Sequence, residues 1–305
     1  MIAGACNDAV ALVALHARRS RAAVAAWRAE HPDRSLIVVL TGTDLYRDIP
    51  ARDADACASL ADADRLIVLQ EDARNFVPVA LRRKVDVVYQ SARALKPWSG
   101  KRTDRLDFVL VAHLRDEKDP RTVFDAWRLL PADLPVTLTV IGAPLDPALG
   151  GAARDLAAAD PRVRWLGPRP HPWTRQAIKR AHLLLCPSKM EGGANVVVEA
   201  ITAGTPVIAS RMSGNLGMLG RGYAGYFPVG DAQALARLLT RIVREPALSK
   251  TLAAQCACRA PLFTPDAERS ALEKAIGRAV AAKAARAGTM TGPGATRIGR
   301  LDERT

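Results

Sequence analysis

The stretch HLLLCPSKMEGGANVVVEAITAGTPVIASRMSGNLG, residues 182–217, decides the fold class. Residues 182–186 are a short apolar run ended by a proline, which predicts a buried strand. We expect a short helix over residues 196–203, with Asn195 as its N-cap and a glycine just past its end. Residues 206–210 are typical of a second strand. Strand, loop, helix and strand in this order form one βαβ step of a parallel sheet.

The loop between this strand and this helix has the features of a binding site. Gly192 and Gly193 let backbone N–H groups approach a ligand at the positive end of the helix, which suits phosphate. Glu191 in the loop and Glu199 on the helix can both face the C-terminal edge of the sheet, where open α/β sheets bind ligands. Carboxylates accept hydrogen bonds from sugar hydroxyls, so a nucleotide sugar fits this pair. The pattern alone fits equally well a solvated Glu191, a surface Glu199 and glycines that serve only the turn.

The spacing of this stretch resembles a known signature. It resembles the signature of GT-B glycosyltransferases of family-4 type. The residues that carry the resemblance are Glu191, seven intervening residues and Glu199, followed by Ala200, Gly204, Pro206 and Val207. Further strings narrow the resemblance to selenosugar synthases of selenoneine biosynthesis, which join selenophosphate to a sugar from a UDP-sugar. These strings are LTGTDLYRD (40–48), HLRDEKDP (113–120), MEGGANVVVEA (190–200), SGNLGMLG (213–220) and GYFPVGD (225–231).

The resemblance implies an α/β GT-B fold, in which two Rossmann-like domains with parallel sheets face each other across a cleft. We place the acceptor-side domain at residues 1–96 and the nucleotide-sugar-binding domain at residues 97–262. Residues 263–284 are predicted to form a helix that returns to the first domain, and residues 285–305 a disordered tail. Members of the family begin with one further strand, a Gly-rich loop and a helix ahead of the strand at 9–15. We therefore expect a truncated or misassigned start, with a free sheet edge.

Strands and helices are predicted to alternate along both domains. In the first domain we expect strands at 9–15, 36–40, 66–69 and 85–89, and helices at 20–31, 51–61 and 72–83. After a linker at 90–105, we expect strands at 108–112, 136–141 and 163–166, and helices at 122–130, 147–159 and 173–181. Beyond residue 210 we expect a Gly-rich loop to residue 225, then helices at 231–244, 246–259 and 265–283.

Composition excludes several classes of protein. No apolar run approaches the roughly 20 residues of a membrane span, and the start lacks the basic region of a secretory signal. The five cysteines follow no paired or metal-binding pattern, which indicates free thiols and a cytoplasmic protein. Lys and Arg number 44 against 31 Asp and Glu, an excess that attracts anions. Since no nucleic-acid-binding motif accompanies it, we expect small anionic substrates and no nucleic acid.

Two cations follow the first predicted strand of the second domain. Arg115 and Lys118 should face the loop 191–193, because strand ends of a parallel sheet converge at one edge. Fixed cations there would stabilise negative charge on a leaving diphosphate, so we expect no metal and no other cofactor. The resemblance implies an Arg and a Lys at this place. Lys118 matches, but His113 stands where the Arg is usual. The alternative is a solvated charge cluster.

The first domain offers candidates for holding an acceptor. His16 follows a strand and could act as a base or an anion contact. Because selenophosphate is already anionic at neutral pH and needs no base, we favour acceptor positioning. The same role is assigned to Thr41, Gly42, Thr43, Arg18 and Arg19.

The resemblance then implies transfer of a hexosyl group, N-acetylglucosaminyl first, from UDP to the selenium of selenophosphate. Candidate catalytic residues are Glu191, Arg115, Lys118 and His16. Candidate donor-binding residues are Gly192, Gly193, Ala194, Asn195, Glu199, Gly142 and Asn215, of which Asn215 fits a plain turn equally well. Glu199 would bind the ribose and Glu191 the donor sugar. The alternatives are a hydroxyl acceptor such as a lipid or polysaccharide, and a non-catalytic protein with a degenerate transferase fold.

Overall fold

The computed structural model describes residues 9–290, with side chains described to residue 284. The first domain is built on a parallel sheet. Its strands, in spatial order, are β1 (Ala11–Leu15), β2 (Ser35–Leu40), β3 (Arg65–Val68) and β4 (Val85–Val87). Every residue of β2 is buried, as expected of a parallel strand with both faces covered. Among the described residues β1 pairs only with β2. The expected additional strand would precede β1, and residues 1–8 lie outside the described residues.

Helices cover the two faces of this sheet. On one face lie α1 (Arg21–Glu30) and α2 (Ala54–Asp62). On the other lies α10 (Pro265–Met290), which comes from the C-terminal end of the chain and packs Ala275 and Ala279 against side chains of β2 and β3. The short alanine side chains bring α10 close to the sheet, so it ties the end of the chain to the first domain.

The second domain is built on a six-stranded parallel sheet. In spatial order its strands are β10 (Tyr226–Phe227), β9 (Val207–Ser210), β8 (Leu183–Cys186), β5 (Leu106–Val111), β6 (Val136–Ile141) and β7 (Val163–Trp165). Its helices are α3 (Pro120–Arg128), α4 (Pro147–Ala159), α5 (His171–Arg180), α6 (Asn195–Thr202), α7 (Ser213–Leu219), α8 (Ala232–Arg244) and α9 (Pro246–Arg259). Buried aromatic rings anchor the core, with Phe108 edge-on to Trp127 at 6.3 Å between ring centres.

The strand order reverses between β5 and β8. From β5 the chain proceeds through β6 to β7 on one side, and from β8 through β9 to β10 on the other. Such a switch point leaves a crevice outside the carboxyl ends of the two strands, and ligands of open α/β sheets bind there. The segment after β5 contains Arg115 and Lys118, and the segment after β8 contains Glu191 to Gly193.

Two predicted elements are wrong. Residues 72–83 form two 3₁₀ turns, Glu71–Phe76 and Val79–Lys84, instead of one helix. Pro78 separates them, because it has no N–H to donate and it disfavours helical geometry at the preceding residue. The predicted Gly-rich loop at 211–225 instead contains α7.

The C-terminal helix is longer than predicted. Since α10 continues to Met290, residues 285–290 are helical rather than part of a disordered tail. Residues 291–305 of that predicted tail lie outside the described residues. From residue 9 to residue 290, no helix combines the length and apolar character that crossing a bilayer requires.

Candidate active site

The switch point brings the predicted cations and the acidic loop together. Lys118 Nζ lies 2.6 Å from Glu191 Oε1. The backbone N–H groups of Lys189 and Met190 donate to the carbonyl oxygen of Glu117, at 2.9 and 3.4 Å. The segment after β5 is therefore held against the loop after β8 by main-chain hydrogen bonds as well as by an ion pair.

Glu191 is a buried carboxylate with defined partners. Its side chain is 8% exposed, and a buried charge of this kind requires compensation. Oε1 accepts from Lys118 and from Ser188 Oγ, the latter at 2.7 Å. Ser188 is itself fixed, because its carbonyl oxygen accepts from Ser210 Oγ at 2.5 Å. Glu191 Oε2 takes part in neither of these contacts.

A cavity of about 540 Å³ opens on one side of this ion pair. All its lining residues come from the second domain, between Val111 and Glu199. Glu199 projects from α6, and His171 Nε2 lies 2.5 Å from Glu199 Oε1. Because residues predicted to bind the donor line this cavity, we call it the donor cavity. The predicted site residues that line it are Arg115, Lys118, Gly142, Glu191, Gly193, Asn195 and Glu199.

A second cavity of about 320 Å³ lies on the other side of the ion pair, between the two domains. Because residues predicted to bind the acceptor line it, we call it the acceptor cavity. Its predicted site residues are His16, Arg19, Thr41, Gly42 and Thr43 from the first domain, and Arg115, Lys118, Glu191, Gly192 and Gly193 from the second. The two cavities share Arg115, Lys118, Glu191 and Gly193. Groups held in the two cavities would therefore meet at Lys118 and Glu191.

His16 is held in an unusual backbone conformation. Its φ of 72° lies in the left-handed region, which side chains other than glycine seldom occupy. Nδ1 accepts from the Arg19 N–H at 3.3 Å, so the proton of the neutral ring lies on Nε2, which donates to Thr43 Oγ1 at 2.8 Å. The Thr43 hydroxyl is then free to donate into the acceptor cavity. This geometry favours positioning of an acceptor by Thr43 over proton abstraction by His16.

Asp44 fixes the loop that carries Thr41 and Thr43. It is completely buried and accepts from the backbone N–H groups of Ala17, Thr41 and Leu45 at 2.8–3.0 Å. This carboxylate therefore holds the ends of β1 and β2 together and does not line the acceptor cavity.

Arg18 and Arg19 have different positions. Arg19 lines the acceptor cavity, and among the described residues its guanidinium has no carboxylate partner. Arg18 Nε lies 3.3 Å from Asp53, and its Nη1 lies 3.8 Å from Asp48. Because these carboxylates hold Arg18 away from the cavity, the prediction that it binds the acceptor is not supported. Arg19 remains the candidate.

The adjacent glycines serve contact between the domains. A Cβ at Gly192 would lie 2.4 Å from the Thr41 carbonyl oxygen, and one at Gly193 would lie 2.8 Å from Leu69 Cβ. Neither atom fits unless the domains separate or Leu69 shifts. The glycines are thus required for close approach of the two domains. Gly193 lines both cavities, whereas Gly192, which was predicted to bind the donor, lines only the acceptor cavity.

Three further sequence predictions need correction. Asn195 is the first residue of α6 and not its N-cap, which is Ala194. Ala194 is buried and lines neither cavity. Asn215 is completely buried, and its Nδ2 donates to Ser210 O and Ser210 Oγ at 2.9 and 3.1 Å. It therefore joins the start of α7 to the end of β9 and lines neither cavity, and it lies in a helix rather than in a plain turn.

Two contributors to the site were missed from sequence. Ser188 supports Glu191, and His171 contacts Glu199. Both follow strands whose carboxyl ends lie at the same sheet edge, so the rule that strand ends converge could have identified them. Neither belongs to a recognisable motif. Next to this network, burial and the neighbouring Glu191 raise the pKa of the Cys186 thiol to about 11.

Comparison with known proteins agrees with this architecture. A model of the family described as glycosyl transferases group 1 matches residues 92–257. The chain is 29% identical over 239 residues to a D-inositol 3-phosphate glycosyltransferase of Mycolicibacterium paratuberculosis, which covers 72% of this chain and 54% of the relative. A relative with the same name from Mycobacteroides abscessus is 30% identical over 172 residues, covering 50% and 38%. The chain thus spans about half the length or less of these curated relatives.

Solved structures show the same fold at low identity. Sucrose-phosphate synthase from Thermosynechococcus elongatus superposes with a TM-score of 0.71 at 20% identity, covering 93% of this chain and 74% of the other. The Anabaena protein HepE, solved in complex with UDP-glucose, superposes with a TM-score of 0.69 at 17% identity, covering 87% and 78%. These likenesses confirm the predicted GT-B fold class. Since the family match includes both cation and acidic segments and more than half of the residues, the chain belongs to the glycosyl transferases group 1 family.

Proposed function

We propose that the protein transfers a hexosyl group from a UDP-sugar to the selenium of selenophosphate. N-acetylglucosaminyl is the first candidate for that group. The observation that carries the proposal is that the donor and acceptor cavities meet at Lys118 and Glu191. A transferase needs its two substrates on opposite sides of one reacting position.

The donor cavity has the groups that a UDP-sugar requires. Glu199 would accept hydrogen bonds from the ribose hydroxyls, and Glu191 from a hydroxyl of the sugar. Arg115 and Lys118 would neutralise the charge that develops on the diphosphate as the bond from the sugar C1 to the UDP oxygen breaks. HepE, a structure of the same fold, is described in complex with UDP-glucose, which supports a UDP-sugar as the donor.

The acceptor cavity favours a small anion. It measures about 320 Å³, and Arg19 supplies a cation whose charge no carboxylate of the described residues neutralises. Thr43 adds a hydroxyl donor, whereas the Thr41 hydroxyl already donates to Asp44 Oδ1 at 2.9 Å. Selenophosphate carries its own negative charge, so its selenium can attack C1 without a base while UDP leaves with the bonding electrons. Water then cleaves the selenium–phosphorus bond, which gives phosphate and a 1-selenosugar.

A second candidate acceptor is the hydroxyl of a phosphorylated polyol. Relatives at 28–30% identity are named D-inositol 3-phosphate glycosyltransferases, and such an acceptor would also place a phosphate near Arg19. A hydroxyl must lose its proton on attack, and in the described arrangement His16 Nε2 faces Thr43. The geometry therefore favours the anionic selenium acceptor.

The test is a UDP-release assay with a panel of acceptors. The full chain would be incubated with UDP-N-acetylglucosamine and, in separate reactions, selenophosphate, thiophosphate, phosphate and D-inositol 3-phosphate, with products identified by mass. We expect turnover with selenophosphate and a product that contains selenium. Turnover with D-inositol 3-phosphate alone would establish the second candidate. If none of the four acceptors supports UDP release, both candidates are contradicted.

A further inference from the structure

The donor cavity contains a contact that the proposed reaction does not explain. His171 Nε2 lies 2.5 Å from Glu199 Oε1, although the two residues are 28 positions apart in the chain. The Glu199 side chain is 14% exposed, whereas the His171 side chain is 69% exposed. A mostly exposed ring that reaches a mostly buried carboxylate is placed there by its backbone and not by packing around the ring.

The sequence around His171 fixes that backbone. It reads GPRPHPW over residues 167–173, so every second residue from 168 to 172 is a proline. Pro170 is the N-cap of α5 and His171 its first residue. Because proline locks φ near −65°, the segment has few conformations to lose when it folds. His171 is therefore presented to Glu199 at a low entropic cost.

The direction of the hydrogen bond follows from the chemistry of the two groups. An ionised carboxylate only accepts, so His171 Nε2 must carry the proton and donate. His171 occupies Glu199 Oε1, and Oε2 is not engaged by it. Without this bond the terminal torsion of a glutamate rotates over a broad range. With it, rotation about this torsion is restricted, so the carboxylate of Glu199, which lines the donor cavity, is held in a narrower range of orientations.

We propose that His171 is a positioning residue that holds the Glu199 carboxylate in the orientation that accepts the ribose hydroxyls of the donor. The inference rests on the proposed donor, because it assigns Glu199 to the ribose. In metal sites a carboxylate commonly orients a metal-ligating histidine. Here the histidine orients the carboxylate. The consequence is that recognition of the ribose, and not of the diphosphate, depends on His171.

The test compares two ligands that differ only in the ribose. Dissociation constants for UDP and for 2′,3′-dideoxyuridine diphosphate would be measured by calorimetry on the full chain and on four variants. These are Glu199→Ala, His171→Ala, His171→Gln and, as a control in the first domain, His31→Ala. Thermal unfolding of each variant would establish that it is folded.

We expect the native chain to prefer UDP over the dideoxy ligand by about 10–100-fold, the range for leaving buried polar groups unpaired. Glu199→Ala should abolish this preference. His171→Ala should lower it at least threefold while leaving affinity for the dideoxy ligand unchanged. His171→Gln should restore most of it, because the glutamine amide can donate from a similar position. His31→Ala should leave it intact.

The outcomes separate this inference from the proposed function. If the native chain binds neither ligand, the proposed donor is wrong and the role of His171 falls with it. If the native chain prefers UDP and Glu199→Ala removes the preference, but His171→Ala retains it within twofold, then only the inference is overturned. Tighter UDP binding by His171→Ala would also overturn it, since His171 would then compete with the ribose.

Discussion

Gly192 packs its backbone against the carbonyl oxygen of Thr41, a residue of the other domain, so closely that a Cβ at Gly192 would lie 2.4 Å from that oxygen. The contact lies where the donor and acceptor cavities adjoin. The backbones of the two domains are therefore in direct contact beside the candidate reacting position. The absence of a side chain at Gly192 is what permits this approach.

Replacing Gly192 with alanine should impair transfer without impairing donor binding. The methyl group would force the loops after β2 and β8 apart, and a displacement of about 1 Å lowers rates by roughly 10²-fold. The donor cavity is lined entirely by the second domain, so UDP affinity should stay within about threefold, since Gly192 does not line that cavity. The measurement is kcat/KM for transfer beside the dissociation constant for UDP.

The matched control for this variant is Gly151→Ala. Gly151 lies within α4, and a Cβ there would meet no atom within 4 Å. Alanine in a helix interior is favoured over glycine by about 1 kcal/mol, so this variant should be fully active and slightly more stable. Full activity of Gly192→Ala would contradict the role of the interdomain contact.

Lys118→Ala should lower kcat by about 10²–10³-fold, the usual effect of removing one group that stabilises developing charge. The neighbouring Lys189 provides the comparison, because it pairs with Asp116 at 2.6 Å on the surface and lines neither cavity. Lys189→Ala should retain activity within about twofold, as exposed ion pairs contribute little. Equal effects of the two substitutions on single-turnover rates would argue against Lys118 as the diphosphate contact.

Asn215→Ala should reduce stability and leave UDP affinity unchanged. The substitution removes both hydrogen bonds to Ser210 in a fully buried position, which is expected to lower the free energy of unfolding by about 1–3 kcal/mol. Denaturant titration measures this free energy of unfolding. Asn75→Ala, at an exposed hydrogen bond to Asp72, is the control and should change stability by less than about 0.5 kcal/mol. A large loss of UDP affinity in Asn215→Ala at unchanged stability would restore Asn215 to the donor site.

The buried tyrosines should make the folded protein less stable at alkaline pH. The chain has four tyrosines, and burial raises the pKa of each, to about 12 for Tyr46 and Tyr89 and further for Tyr223 and Tyr226. Between pH 10 and 12 the unfolded chain loses these protons while the folded chain keeps them. The folded state then binds more protons, so its stability falls as pH rises through this range and is unaffected by these groups well below pH 10.

Absorbance at 295 nm reports this ionisation directly. The native protein should show little tyrosinate until about pH 11, and the unfolded chain in denaturant should titrate near pH 10. Each tyrosine contributes up to about 1.4 kcal/mol per pH unit in that window. A native titration centred at pH 10 would show that these rings are accessible and would contradict the burial of Tyr46 and Tyr89.

Much of the site was predictable because it depends on strand ends. A strand that precedes Lys118 and another that precedes Glu191 are enough to place the two residues at one sheet edge, and the ion pair follows from their charges. The prediction of parallel βαβ units rests on the apolar runs of β2, β5 and β8. The GT-B arrangement of two domains was implied by the resemblance to family-4-type glycosyltransferases.

The rest depends on contacts between segments distant in sequence. Residues 213–219 contain two glycines and no helical periodicity, yet they form α7, in part because Gly217 permits close approach of Gln70. The role of Gly192 and the burial of Asn215 likewise depend on how the domains and loops pack. An isolated glycine or asparagine in a loop has no periodicity from which such packing can be inferred.

The central claim is that donor and acceptor bind in two cavities that meet at Lys118 and Glu191. Hydrogen–deuterium exchange with UDP and with selenophosphate tests it most directly. If the donor cavity is correctly assigned, UDP alone should slow exchange in peptides covering residues 113–118 and 190–199. Addition of selenophosphate should then slow exchange in peptides covering residues 16–19 and 41–44, because the acceptor cavity adjoins the donor cavity at Lys118 and Glu191. Protection by UDP that falls outside both second-domain segments, or none at all, would contradict the claim.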